Sequence, residues 1–462
     1  MNYRLLVATA WKPVFENDLD AFIPEVWAQE SLMILENQMV IGNLVHRDFE
    51  DEIAQFGDVV NTRQPATFEA KRKTNADNVT IQNADATNVP VPLNQHFHVS
   101  FMIKDGEQSK SFKNLVDEYL YPAVLAIAEG IDQMLLGQVY RFRANSVGKL
   151  GTAPTKPTVV AARTAMNNQK IPMTGRNMVV TSNVEGDLLN ISEFVNAEKV
   201  GDDGTALREG SIGRKFGMDF YMAQQTPSVP VGNTIDITLA TSAILPVGTT
   251  AITVGADPTA IALAGTYLTI AGDDVPQRVV SSTTTPDVIN ILPGLKTGVA
   301  SGAVVTVYAP GAVNQLVAPT GYAANYAKSI VVDAFTVAAN PNQLISFGVA
   351  ANEYAAMNTP TITGIELDLP LGLAIADGDA VNIGPAGEYC FGFHRNALAF
   401  VTRPLALPEA GTGARAFVAS FNGLTIRVVI TYNGEKQGHL VTVDLLAGTT
   451  VLNSNLGVVM YG

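Results

Sequence analysis

The clearest hydrophobic pattern lies between residues 122 and 143, where Val124, Ala128, Ile131, Leu135, Val139 and Phe142 recur at spacings of three and four. That period places them on one side of an α-helix. A helix over 122–143 would run roughly 33 Å at 1.5 Å per residue. Pro122 is tolerated in a first turn, and the basic RFRAN at the far end suits the negative pole of the helix dipole. Residues 1–57 also read as mostly helical. There Pro24 leads into an apolar side made of Val26, Trp27, Leu32, Met33, Leu35, Met39 and Val40.

Over 58–108 the pattern changes to strands. DVVNTRQPATFEAKRK and HFHVSFMIK read as two strands joined by TNADNVTIQNADATNVPVPLN, a stretch of turn formers and small polar residues. Together they predict a long two-stranded loop, which is marginal in water unless something else covers it, such as a neighbouring subunit. Residues 150–225 alternate: a helix over 157–168, a strand at NMVVTS, a helix in GDLLNISEFVNA and an extended KFGMDFYMAQQ. From 226 to 386 helical periodicity disappears. Short Val-, Thr- and Ile-rich strands separated by Gly, Pro, Asp and Asn predict one or two β-sandwich or barrel-like modules, the second over about 329–383. The earlier mixture returns at 387–462 with the strand candidates GLTIRVVITYN and HLVTVDLLAG, so 226–386 reads as an insertion into a parent domain.

Composition narrows the function classes. Among 462 residues, 47% are hydrophobic and 16% charged, which favours an ordered chain of more than one domain over disorder. The net charge of −14 repels phosphate and argues against direct nucleic-acid binding or a polybasic membrane contact. Cys390 is the single cysteine, so no intrachain disulfide forms, in keeping with a reducing cytoplasm. The opening MNYRLLVATAW has one Arg and a short apolar run. The acidic stretch behind it lacks a cleavage pattern, and no apolar run reaches membrane-spanning length.

The candidate chemistry is sparse. His96 and His98 share a strand face, but a metal would need further ligands, and none is suggested nearby. Asp202-Asp203 and Asp273-Asp274 lack the spacing of a calcium loop. Gly210, Gly213 and Gly217 precede a strand and lack the lysine ending of a phosphate loop. No serine or cysteine triad can be assembled from His46, His394 and His439, so no catalytic, cofactor or metal residue is assigned. Lys71-Arg72-Lys73 is the one compact basic run; an inter-subunit contact and a solvated turn both remain open for it. The first segment is acidic, and for Glu16, Asp18 and Asp20 two readings remain open: a screened, reversible dock for a basic partner helix, or carboxylates that solubilise the segment or pair with a neighbouring subunit.

Several phrases together carry a family resemblance. AVLAIAEGIDQMLL at 123–136, KIPMTGRNMVVTS at 170–182, LREGSIGRKFGMDFYMAQ at 207–224, FHRNALAFVTRPL at 393–405 and LTIRVVITYN with VDLLAG at 424–448 follow one another in a telling order. The chain resembles the major capsid proteins of tailed bacteriophages with the Hong Kong 97-type fold, in the short-tailed-phage branch with a β-rich insertion. The resemblance implies an α+β chain. It would comprise an N-terminal arm (1–57), an extended β-hairpin loop (58–108), a spine helix (109–150), a first axial part (151–225), an inserted immunoglobulin-like or barrel domain (226–386), and an axial return with peripheral strands (387–462). It implies a shell subunit and no enzyme, assembling with itself as hexamers and pentamers in the host bacterial cytoplasm and resident in the virion capsid. Its further partners would be a separate scaffolding protein and a portal protein. The need for a decoration protein stays open. The shell would enclose double-stranded DNA without reading its sequence, and no membrane is involved. A cellular nanocompartment shell and a β-rich surface-layer protein are the rival readings.

Overall fold

The computed structural model describes residues 24–47, 59–63, 70–73, 79, 81, 88–105, 119–195, 210, 212–229, 235–240, 244–255, 257–259, 262, 264–273, 275–308, 329–331, 343–348, 353–357, 365–369, 371–376, 378–379, 381–385, 387–409 and 413–462. Helices and strands are mixed, with two sheets and a long helix forming the body.

The first sheet is ordered Ser146–Val147, Gly457–Tyr461, Gly387–His394, Arg176–Val180, Met218–Met222, Arg214–Lys215. Its strands are apolar on both faces, because both are covered. Met178, Val180, Cys390, Val458 and Met460 face the helices Lys156–Asn168 and Ser182–Leu189. The alternate residues Val179, Phe391, Phe393, Val459 and Tyr461 enter the main core. This is the period of two expected of a strand, with both sides buried. A Cβ on Gly392 would stand 2.6 Å from Met166 Cε and 2.8 Å from Met178 Cε, so glycine makes room for the methionines.

The second sheet runs Leu398–Arg403, Gly438–Val451, Leu424–Asn433, Arg415–Phe421, with Gln95–Lys104 paired to Gly438–Val451. One face packs Leu398, Phe400, Ile426, Val428, Val441 and Val443 into the main core together with the helices Pro24–Gln38 and Tyr121–Gly137. The expected partner of the 58–73 strand changes here. Val59–Arg63 pairs with Asn88–Pro92, and Gln95–Lys104 joins the sheet. Pro90 and Pro92 argue against a central strand. Two residues apart, however, they leave their missing N–H groups on one strand edge, where a two-stranded ribbon tolerates them.

The long helix is α-helical over Tyr121–Gly137, and Gln138–Phe142 tightens to a 3₁₀ turn. Packing accounts for the change at Gly137. A Cβ there would lie 2.9 Å from the Ala355 Cβ and 3.2 Å from Asp368, so another segment presses directly on the backbone. The expected helix in GDLLNISEFVNA divides into Ser182–Leu189 and Ser192–Val195.

Between the two halves of the first sheet, the chain builds a six-stranded antiparallel sheet. Its order is Ala251–Thr253, Asp287–Leu292, Gln277–Thr284, Tyr267–Ile270, Val304–Tyr308, Ile235–Thr238. A bridge between Leu239 and Val254 joins its two edges, so the sheet closes around its own core of Ile252, Leu268, Ile289, Val305 and Val307. A second small cluster holds Ile330, Ile345, Phe347, Tyr354, Ile365 and Val381. The chain leaves and re-enters the first sheet side by side, because Ser228–Val229 pairs with Gly387 and Glu388.

Candidate functional site

The described structure offers surfaces and buried joints; no reaction centre is visible in it. The two-stranded ribbon is anchored at its base, where Val60, Val91 and Leu93 pack on Ala399 and Val401. The backbone of Gly448 lies under it, and a Cβ there would meet the Pro92 carbonyl oxygen at 2.3 Å. Beyond the base, Lys71, Arg72, Lys73, Val79 and Ile81 are all exposed. On another side of the body, the helix Pro24–Gln38 and the strand Arg415–Phe421 border a groove of about 470 Å³ lined by Leu32, Met33, Glu36, Phe417, Ala419 and Phe421 among others.

Behind that groove, the first helix is tied to the long helix by one carboxylate. Asp132 accepts from the Val40 amide at 2.7 Å and the Gly42 amide at 3.1 Å, at the 3₁₀ turn Ile41–Asn43. Burial pushes its pKa up to about 6, and the amides of Val40, Gly42 and Ile41 pull the other way. Desolvation wins because neutral amides offset the loss of water only in part.

The end of the long helix carries a second joint. Arg143 donates from Nη2 to both carboxylate oxygens of Glu353, and from Nε to the Tyr140 carbonyl at 3.1 Å. The Tyr267 hydroxyl donates to Glu353 Oε1 at 3.0 Å, and the guanidinium lies 5.6 Å from the Tyr267 ring centre. Burial opposes the Arg143 charge, but Glu353 together with the neighbouring Tyr267, Tyr461 and Tyr389 outweighs it, so its pKa is raised. Nearby, Asp368 accepts from Gln138 Nε2 at 3.0 Å and from the Ala355 amide at 2.9 Å. Burial lifts its pKa to about 6, against the pull of Arg141. Tyr267 belongs to the closed sheet, and Glu353 and Asp368 to the second cluster's segment, so both inserted parts meet the long helix here.

The remaining sequence candidates fall into place singly. Lys71, Arg72 and Lys73 lie together on the loop; Glu16, Asp18, Asp20, Asp202, Asp203 and Asp274 lie outside the described residues. Asp273 is buried and organises a turn, accepting from the Thr297 amide at 2.8 Å and from Gln277 Nε2 at 2.6 Å. His96 approaches Asp444 at 3.3 Å, and the His96 and His98 rings stand 6.0 Å apart. Asp444 is already engaged by Arg427 Nε at 2.9 Å. Gly210, Gly213 and Gly217 have φ of 69°, 62° and 79°, the left-handed backbone of tight turns. Cys390 is buried, and desolvation pushes its thiol up to about 12. Among the described residues no group of three His, Cys, Asp or Glu could hold a metal ion.

Sequence reasoning missed the roles of Asp132, Arg143, Glu353 and Asp368. Asp132 had a visible signal, a charged residue between Ile131 and Met134 on an apolar helix. Glu353 and Asp368 had none, since their partners lie some 210 and 230 residues away.

No protein-family model matches the chain, and no curated protein matches it. Solved structures do. The chain is similar to a structure from Mycobacterium phage Che8 (13% identity, 91% of this chain and 90% of that chain, TM-score 0.42). It is also similar to the capsid structure of the Cyanophage P-SCSP1u (10% identity, 92% and 88%, TM-score 0.42). A third is the head structure of Helicobacter pylori bacteriophage KHP40 (9% identity, 88% and 84%, TM-score 0.37).

Proposed function

We propose that this chain is the major capsid protein of a tailed bacteriophage, many copies of which close into the icosahedral shell around the genome. The observation that carries the reading is the ribbon Val59–Arg63 with Asn88–Pro92. It is anchored firmly at its base, yet beyond that base it presents Lys71, Arg72, Lys73, Val79 and Ile81 to solvent. Exposed aliphatic side chains beside a basic run give a lone chain no stability; they suit a contact made on assembly.

The family resemblance of the sequence phrases supplies the architecture. The fold is of the Hong Kong 97 type, with 1–57 as arm, 58–108 as extended loop, 109–150 as spine, 151–225 and 387–462 as axial and peripheral parts, and 226–386 as an inserted β-rich domain. That insertion favours a phage coat over a nanocompartment shell. Mechanism here is geometric. Copies form hexamers and pentamers, a separate scaffolding protein sets curvature through the acidic Glu16, Asp18 and Asp20, and a portal protein takes one vertex. The acidic shell encloses double-stranded DNA without gripping it. The chain works as a building block, with no catalytic step.

The test is co-expression with the neighbouring scaffolding gene, followed by electron microscopy of the purified particles. Closed shells of uniform size are expected. A chain that stays monomeric with and without the scaffold, across protein concentration and salt, overturns the proposal.

A further inference from the structure

We infer that the turn 170–175 of one copy seats in a groove at the far end of the first sheet of a second copy, with Met173 entering the groove and Lys170 meeting Glu185 at its rim. The inference rests on the shell reading and names one contact within it.

The turn is held rigidly and points outward. It follows the helix Lys156–Asn168, and the Arg176 guanidinium fastens it from behind. Nη1 donates to Asn167 Oδ1 at 2.8 Å, Nη2 to the Ile171 carbonyl at 2.6 Å and Nε to the Pro172 carbonyl at 2.8 Å. The Lys170 amide donates to the Asn167 carbonyl at 2.9 Å, and Ile171 is buried. Met173 is nevertheless 68% exposed, and Lys170 is exposed beside it. A large apolar side chain held out on a fixed turn does nothing for a lone chain. On binding, the backbone that carries it has little freedom left to lose.

The groove lies at the other end of the sheet. It encloses about 310 Å³ and is lined by Val180, Glu185, Ile212, Phe220, Tyr221 and Met222, among others. The short strand Arg214–Lys215 pairs with Met218 and Asp219 and stops short of Tyr221 and Met222, which stand 38% and 37% exposed. Aromatic rings beside a thioether suit an incoming methionine, whose flexible and polarizable side chain adapts to them.

Charge gives the pair its direction. Residues 157–176 carry Arg163, Lys170 and Arg176 and no Asp or Glu, whereas 177–198 carry Glu185, Asp187, Glu193 and Glu198 and no Lys or Arg. The sheet is therefore positive where Arg176 begins its strand and negative beyond Val180, where that strand ends. Lys156 lies on the negative side and already meets Glu193 at 3.3 Å. Burial raises the pKa of Glu185, and a carboxylate stripped of part of its water gains from an arriving cation. The strand Arg176–Val180 separates turn from groove by about 16 Å at roughly 3.3 Å per residue, so the rigid turn cannot fill its own groove. Every copy offers one of each. A contact between unlike patches of identical chains is head-to-tail, and repeated about an axis it closes a ring. Complementary ends on one chain favour a second copy over a foreign partner.

The experiment uses the full chain with Met173→Cys and Met222→Cys. Native Cys390 is buried and takes no part. The chain is assembled, oxidised and run on a non-reducing gel, and linked peptides are read by mass spectrometry. A ladder of covalent multimers that extends past the dimer is expected, each link joining position 173 to position 222. Dimers joined through like positions mean a symmetric contact and overturn the inference. Closed particles without any such link mean that something else fills the groove, residues 196–209 or another protein included; the inference then falls while the shell reading stands. Unsubstituted chains that never assemble overturn both.

Charge exchange gives a readout that needs no cysteine. Lys170→Glu and Glu185→Lys should each slow assembly about tenfold at low salt, with the circular dichroism unchanged. The chain carrying both changes should recover most of that loss. Single variants that assemble at the unsubstituted rate, or a double variant no faster than either single one, overturn the pairing of these charges.

Discussion

Replacing Asp132 probes how the first helix is held. The carboxylate is the link between the long helix and the turn at Ile41–Asn43, through the amides of Val40 and Gly42. In Asp132→Ala those two buried amides lose their acceptor, at about 1–3 kcal/mol each. Against this, the wild-type charge is itself costly. Its folded pKa of about 6 lies above the ordinary 3.8, so keeping it ionised near neutrality costs about 3 kcal/mol. The two effects partly cancel at neutral pH, leaving Asp132→Ala destabilised by at most a few kcal/mol.

Acid separates them. A pKa raised on folding means the folded chain binds the proton more tightly. The resulting stabilisation is complete below about 3.8 and is lost as pH rises through about 6. Moving from about pH 7.5 to about pH 5 returns about 1.4 kcal/mol to the wild type and nothing to Asp132→Ala. The assay is hydrogen exchange of the Val40 and Gly42 amides, corrected for intrinsic rate. Protection in the variant should fall below wild type at both pH values, and the gap should widen roughly tenfold on acidification. A gap that stays constant or narrows refutes the buried-charge reasoning. Equal protection at both pH values refutes the clamp itself.

The other predictions concern separate features. Arg143→Met should cost about 3 kcal/mol in thermal unfolding, because it leaves the half-buried Glu353 carboxylate without its cation; adding Glu353→Gln should recover part of that loss. Gly448→Ala should dislodge the ribbon base, since its Cβ would strike the Pro92 backbone, and limited proteolysis within 58–92 should accelerate with little change elsewhere. The Cys390 thiol, buried and pushed up to about 12, should resist aromatic disulfide reagents in the native chain and react fully once it is unfolded. A fragment spanning 226–386 should fold alone with strand-type circular dichroism, since its closed sheet has a separate core.

The sequence made the elements with strong local signals legible. Val124, Ala128, Ile131 and Leu135 marked the long helix because its period is local. The strands at 424–433 and 438–451 were visible through their density of β-branched residues, Thr425, Ile426 and Val428 to Thr431 in the first and Val441, Thr442 and Val443 in the second. Partnership was less visible. Asn88–Pro92 read as loop, since two prolines mask a strand that pairs with another ribbon strand. The end of the helix was misplaced because Gly137 is set by Ala355 and Asp368, more than 200 residues away. Of the candidate site, the exposed Lys71-Arg72-Lys73 was evident as a charge run. The groove was not, since it arises where Met33 and Phe421, far apart in sequence, come to border one surface.

The side-by-side exit and re-entry at Ser228–Val229 and Gly387–Glu388 bears on the order in which the chain folds. Those paired residues are about 160 positions apart, and closing so long a loop in an unstructured chain is an entropic barrier. The intervening segments shorten the detour themselves. Ile235 pairs with Val307, and Phe347 with Val381, so each segment brings its own ends together. If both form first, the effective loop shrinks roughly threefold, lowering the closure barrier by about 1 kcal/mol. The first sheet is then the late event, completed only after the β-rich detour has drawn its two halves within reach.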